Sequence, residues 1–232
     1  MKVAAALARP TVTRLVRSPR SWFALGGWFA VGVAFALAER IHGATHGADR
    51  VLVGPFGGLV LPLLAYALVG AAFGGRSIAT TGAALLRFGA HPAGVAGASL
   101  GVAIAACGAA SAITAVVIAV GAHGAGDPPI VRDAFASAYA AALGGLAYGA
   151  WFGLGATFGK GGGGRTALLV LDWILDATGS APSLLCPRSH VRNLLGGAPP
   201  LDLSERASAV ALAVLAACCA AAALLRAVRA RG

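Results

Sequence analysis

Residues Gly144–Gly179 read GGLAYGAWFGLGATFGKGGGGRTALLVLDWILDATG. Two apolar runs flank a short basic, glycine-rich turn, Lys160 to Arg165. The first run carries Gly145, Gly149 and Gly153 at intervals of four. At that spacing they share one face of an α-helix, and a face without side chains lets a second helix approach closely, as in the small-xxx-small packing of membrane helices. A bulky residue at Gly149 should therefore break a helix contact, whereas Ala150 is expected on a more tolerant face. The second run carries Asp172 and Asp176, one helical turn apart. Such carboxylates are unremarkable in water, but in hydrocarbon they are costly and must face protein or a water-filled cavity. Whether the chain lives in a membrane decides how the rest is read.

Composition answers that question. Of 232 residues, 58% are hydrophobic and only 11% charged, and the mean hydropathy is +0.81. Soluble domains carry about 25% charged residues. The few charges here are clustered, and the runs between clusters approach the roughly 20 residues needed to cross a bilayer. The expected fold is all-α: a polytopic helical bundle of six spans, near 21–38, 51–73, 93–122, 134–158, 166–185 and 207–225, behind an N-terminal interfacial helix over residues 1–20. The fifth span is expected to be broken, because Gly179 and Pro182 interrupt it before a full crossing. The third holds a further small-residue pair, Gly97 and Gly101.

The charges then sort by side. Lys2, Arg9, Arg14, Arg17, Arg20, Arg76, Arg87, Lys160, Arg165, Arg226, Arg229 and Arg231 fall in segments on the side of the N-terminus, which hold no acid. Arg40, Arg50, Arg132, Arg188, Arg192 and Arg206 fall on the other side, among Glu39, Asp49, Asp127, Asp133, Asp202 and Glu205. The excess of basic residues in short loops marks the cytoplasmic face, so six spans place both ends in the cytoplasm. The same bias accounts for the net charge of +10 without invoking nucleic acid. A basic start followed by an apolar run also suits a signal peptide, but the run is long and further spans follow it.

No motif stands in a context that would demand a cofactor or support catalysis. GKGGGGR lacks the glycine and the hydroxyl residue that a phosphate-binding loop requires, and Leu154 and Gly161 stand in their places. The GxSxG pattern occurs once, at Gly97–Gly101, but inside the apolar third span and not at the strand-to-helix turn that a nucleophile elbow needs, so the chain is not expected to be an enzyme. Cys107, Cys186, Cys218 and Cys219 form no CxxC pair. His42 and His46 are four apart in an outer loop but have no third ligand nearby in sequence, and zinc needs three or four; no metal site is expected. Asp172 and Asp176 admit two readings: a proton- or cation-coupled pair on a transport path, or a structural charge pair tying the fifth span to Arg188 and Arg192.

The layout resembles the permease subunits of ABC-2-type transporters. The basic amphipathic start LARPTVTRLVRSPRSW is similar to the interfacial helix before their first span. RSIATTGAALLRFGAH stands where the family places a coupling helix against its ATPase, and SAPSLLCPRSHVRNLLGGAPP stands where it has short re-entrant outer helices. The resemblance implies a permease in the cytoplasmic (inner) membrane, working as a homo- or heterodimer, in contact with lipid and driven by a separate ATPase chain. It further implies a short helix over Ile78 to Phe88 whose Ala84, Leu85, Arg87 and Phe88 meet that ATPase. Two acids in the fifth span depart from the pattern. A secondary carrier using Asp172 and Asp176 is the alternative, and a non-transporting membrane scaffold or assembly subunit is the third.

Overall fold

The computed structural model describes residues 2–230 except 44, 79, 82, 125, 160, 178 and 179. The described residues form helices and turns, with no strand among them. Lys2–Arg17 (α1) runs along one end of a bundle and turns at Ser18 into Pro19–Ile41 (α2). Gly47–Ala72 is one continuous rod in three parts: Gly47–Val51 (α3), a π-helical stretch Leu52–Val60, and Leu61–Ala72 (α4). Pro55 lies inside the π-helical stretch. Proline removes a backbone donor and crowds the preceding turn, and a widened turn relieves that conflict. Next come the short Ala83–Arg87 (α5), Pro92–Ala122 (α6), Ile130–Gly155 (α7) and Gly164–Ala177 (α8). A 3₁₀ turn at Ala181–Leu185 leads into Pro187–Leu194 (α9), and a second at Pro200–Asp202 precedes Glu205–Arg229 (α10).

Four rods, Pro19–Ile41, Gly47–Ala72, Pro92–Ala122 and Glu205–Arg229, are long and apolar enough to cross a membrane. Outward faces of these rods carry large apolar side chains with nothing over them; Phe23, Ile113 and Val210 are 80%, 62% and 62% exposed. Water would penalise such a surface and lipid would not, so the chain is built as a multi-pass membrane protein. The helix α7 is also long, but its glycines and aromatic residues lower its apolarity, and its second half is buried inside the bundle. At about 1.5 Å per residue, α8 reaches only about 21 Å, short of a hydrocarbon core of about 30 Å. Within the fifth apolar segment, expected to be broken over 166–185, the helix ends at Ala177, before Pro182, and the chain folds back through the 3₁₀ turn.

The seam between α6 and α7 is the bundle's central interface. A Cβ added at Gly149 would stand 2.9 Å from the Ile104 backbone, one at Gly145 would strike Cys107 and Ser111, and one at Gly153 would strike Leu100. Ala150 is itself fully buried, which corrects the expectation of a tolerant face there: α7 is enclosed on more than one side. Gly101 has open space beside it, and Gly97 makes only ordinary contact with Leu224. That second small-residue pair seats no helix within this chain.

The helix expected over Ile78 to Phe88 is shorter, running only from Ala83 to Arg87. Ile78 is buried instead, and its N–H donates to the Ala156 carbonyl. That bond pins the chain to the end of α7 before any helix can start. The helix α1 is likewise more than a surface float. Thr11 is buried and its hydroxyl donates to Ser99 of α6 at 3.0 Å, while Arg14 donates to the Ala72 carbonyl at 2.8 Å. At this same end Arg226 of α10 donates to Thr157 and stacks on Phe158. The helix α1 and the last turns of α10 thus lie at one end of the bundle.

Candidate functional site

The turn between α7 and α8 closes an antiparallel hairpin, with Gly159 and Gly162 supplying its left-handed positions. Residues equidistant from that turn lie level with one another, so Tyr148 meets Asp172 and Trp151 meets Leu168. The Tyr148 hydroxyl donates to an Asp172 carboxylate oxygen at 2.7 Å, and the Trp151 indole donates to the Leu168 carbonyl at 3.2 Å. Asp172 is fully buried, and its second oxygen accepts the backbone N–H of Arg188 at 3.3 Å. Tyr148 stacks on Phe152, which in turn meets Tyr66 edge-on. Aromatic packing thus fixes the phenol that holds the carboxylate.

One turn further along α8, Asp176 lies between two guanidiniums. Arg188 Nε is 3.1 Å from its carboxylate, and Arg192 Nη1 donates to the same oxygen at 3.3 Å. The Arg188 guanidinium also lies 5.8 Å from the centre of the Trp173 ring, a cation–π distance. Two guanidiniums thus face two carboxyl groups. The cluster joins α8 to α9.

The helix α9 reaches this position because the surrounding helices present bare backbone to it. Added Cβ atoms would meet Leu195 and Arg192 at Gly57, Arg188 at Gly58, and Val191 at Gly144. Gly57 and Gly58 belong to the π-helical stretch, so the distortion around Pro55 falls where α9 docks. Polar bonds lock it further. His190 is fully buried; its Nε2 donates to the Leu184 carbonyl at 2.9 Å, which leaves Nδ1 to accept from Ser208 at 3.2 Å. Asn193 donates to Ser208 at 2.8 Å and to the Leu203 carbonyl at 3.0 Å.

At the opposite end, Ala84 and Arg87 of α5 and the following Phe88 are exposed, and Leu85 is half-buried. Phe88 is 89% exposed. Beneath α5 lies a cleft of about 550 Å³ lined by Leu7 and Arg14 of α1, Phe73, Leu85 and Ser99.

The histidine pair of the outer loop does not act together. His42 bonds the Ala38 carbonyl. His46 approaches Asp49 and Asp127 instead, at 3.8 and 3.9 Å, and the three ligand atoms lie within 4.8 Å of one another. Asp127 spends one oxygen on the N–H groups of Gly124 and Ala48, which clasps two outer loops together. Cys107, Cys186, Cys218 and Cys219 are all free thiols.

Sequence reasoning passed over Tyr148, Gly57, Gly58, His190, Asn193 and Ser208. Hairpin symmetry about residue 160 could have found Tyr148; nothing local marks the others. In comparison with known proteins, no family model, characterised protein or solved structure matches this chain.

Proposed function

We propose that the chain is the membrane-spanning permease subunit of an ABC-2-like transporter. In this reading it crosses the cytoplasmic membrane six times with both ends in the cytoplasm, pairs with a second permease subunit, and takes energy from a separate ATPase chain. The observation that carries the reading is α5 with Phe88. A phenylalanine almost wholly uncovered projects from the end of the bundle that gathers α1, the α7–α8 turn and the arginine-rich end of α10. An exposed apolar knob at a basic, water-facing end suits a protein partner better than water. Ala84, Leu85 and Phe88 would be the contacts and Arg87 the rim. The hairpin at α8, its fold-back through α9 and the two-sided charge pattern support the six-crossing topology.

Copurification from native membranes in mild detergent tests the partnership: an ATPase should accompany the wild-type chain, and Phe88→Ala should weaken its recovery while membrane levels hold. Recovery of the intact chain with no ATPase would sink the reading. Topology is tested separately with cysteines at the exposed positions Thr45, Ala198 and Gly163. The first two should label from outside intact cells and the third should not; external labelling at Gly163 would invert the assignment.

A carrier is the second reading, favoured by one observation: among the described residues the side-chain partner of the buried Asp172 is the neutral Tyr148 hydroxyl. Asp172→Asn would then abolish ion-coupled uptake in vesicles while the fold survives. In the permease reading it leaves transport dependent on ATP alone.

A further inference from the structure

Arg165, in the first turn of α8, is buried to 8% exposure. Its Nε donates to the Gly162 carbonyl at 3.2 Å, but its Nη1 is buried without a hydrogen-bond partner. Among the described residues no carboxylate comes within ion-pair distance of it; the ion pairs there involve Arg50, His46, Arg188 and Arg192 instead. The Tyr66 ring lies 5.6 Å from it, at a cation–π distance. A buried charge left uncompensated is among the more costly arrangements in a protein.

The space beside it is built for an anion. Arg165 lines a cavity of about 300 Å³ together with Arg14, Ser18, Arg20, Tyr66 and Gly70, and no acidic residue lines it. Gly70 leaves room for the guanidinium: a Cβ there would stand 2.7 Å from Nη1. Ser18 precedes the first turn of α2 without a side-chain bond to that helix, so its hydroxyl is available. The N-termini of α2 and α8 both open here, and their backbone dipoles favour negative charge. The opposing carbonyl end of α4 is covered where Arg14 bonds Ala72. The cavity lies at the corner between α1 and α2, and Trp22 and Phe23 near the start of α2 are 60% and 80% exposed. Exposed aromatic side chains at that position suit the headgroup level of a bilayer.

We propose that this pocket binds a phosphoryl group, with Arg165, Arg14 and Arg20 as its cationic partners and Ser18 and Tyr66 as hydroxyl donors, and that an anionic phospholipid headgroup presents it. The inference rests on the membrane fold and not on the transporter reading. A tetrahedral oxyanion supplies the acceptors that several guanidinium groups need at once. Lipid is the source at hand, because the pocket opens at the corner of the bundle where anionic headgroups concentrate basic side chains.

The test uses the full chain purified in neutral detergent and stripped of lipid. Phosphatidylglycerol, phosphatidylcholine and millimolar inorganic phosphate are added separately, with native mass spectrometry and thermal unfolding as readouts. Phosphatidylglycerol should be retained at one molecule per chain and raise the unfolding midpoint. Arg20→Gln, at an exposed side chain outside the core, should weaken that binding about tenfold, the order expected for the loss of one charge-assisted hydrogen bond. Arg17→Gln removes the same charge from the same region without touching the pocket, and should leave the binding unchanged. Equal losses in the two variants, or equal retention of phosphatidylcholine and phosphatidylglycerol, would overturn the built site in favour of diffuse attraction. Stabilisation by inorganic phosphate with none by phosphatidylglycerol would overturn the lipid source, while keeping the phosphoryl site. No response to either would overturn both.

Discussion

The two ends of the bundle use arginine in opposite ways. Where α8 meets α9, Arg188 and Arg192 close on Asp176, and the second carboxylate, Asp172, is held by a phenol and a backbone N–H. That end is neutralised from within. At the other end Arg14, Arg20 and Arg165 surround a cavity with no acid in its lining, and Phe88 stands uncovered nearby. That end leaves both its charge and its apolar knob to be satisfied from outside the chain. The side chain is the same at both ends; the difference is whether a carboxylate lies within reach. A closed end reads as architecture, and an open end reads as a contact surface.

The α6–α7 seam connects the ends, so breaking it should give the largest effect and remove the contrast altogether. Gly149→Leu forces a side chain into backbone 2.9 Å away. Overpacking ordinarily costs about 1–3 kcal/mol; with backbone as the obstacle we expect more than about 3 kcal/mol, read as lost folded yield in detergent. Ala136→Leu, at an exposed position of the same helix, should be nearly silent. Similar yields for the two variants would remove the glycine seam from the account.

Asp176→Asn comes next and tests the closed end directly. The Asp176 side chain is 9% exposed and that of Arg188 is 21% exposed, so the change leaves a largely buried guanidinium facing a neutral amide. Removing one partner of a buried pair costs about 3–5 kcal/mol. We expect the lower part of that range, because Arg192 is freer to turn to solvent. A change under about 1 kcal/mol in denaturant unfolding would mean that the closed end is not held by this pair. Tyr148→Phe should cost less, about 1.5–3 kcal/mol, the worth of a hydrogen bond to a charged group. A stability equal to wild type would show that Asp172 finds another donor.

How much of this was legible in the sequence differs between the ends for a physical reason. The spacing of Asp172 and Asp176 put both on one helix inside an apolar run, and Pro182 announced a turn that brings Arg188 and Arg192 back. Those are local signals: helical period and a breaker. The seat of α9 was not legible. Gly57, Gly58 and Gly144 lie far from Arg188 and Val191 in sequence, and the π-helical turn around Pro55 shifts the register by which faces are counted. Ile78 escaped for the same reason, since its bond to Ala156 spans two helices and overrides the helical pattern that continues into Phe88. At the open end the surplus of basic residues was plain from the charge pattern, but its concentration around Arg165 depends on Gly70 and Tyr66, which no spacing rule connects to Arg14.

The smallest expected effect concerns Arg192, and it locates the boundary of the closed end. Arg192 bonds the same Asp176 oxygen as Arg188, at nearly the same distance, yet its side chain is 39% exposed. Exposed ion pairs contribute about 0–1 kcal/mol, because water already solvates the charge and ordering a long side chain costs entropy. Arg192→Ala should therefore destabilise by less than about 1 kcal/mol, and the Asp176/Arg192 coupling in a double-mutant cycle should lie in the same range. The coupling should fall further in 1 M salt, where the screening length shortens to about 3 Å. The Asp176/Arg188 coupling should be larger and change less with salt, since protein covers more of that pair. Equal couplings with equal salt response would mean that Asp176 is held by a solvated cluster, and the two ends would then differ only in whether acids are present.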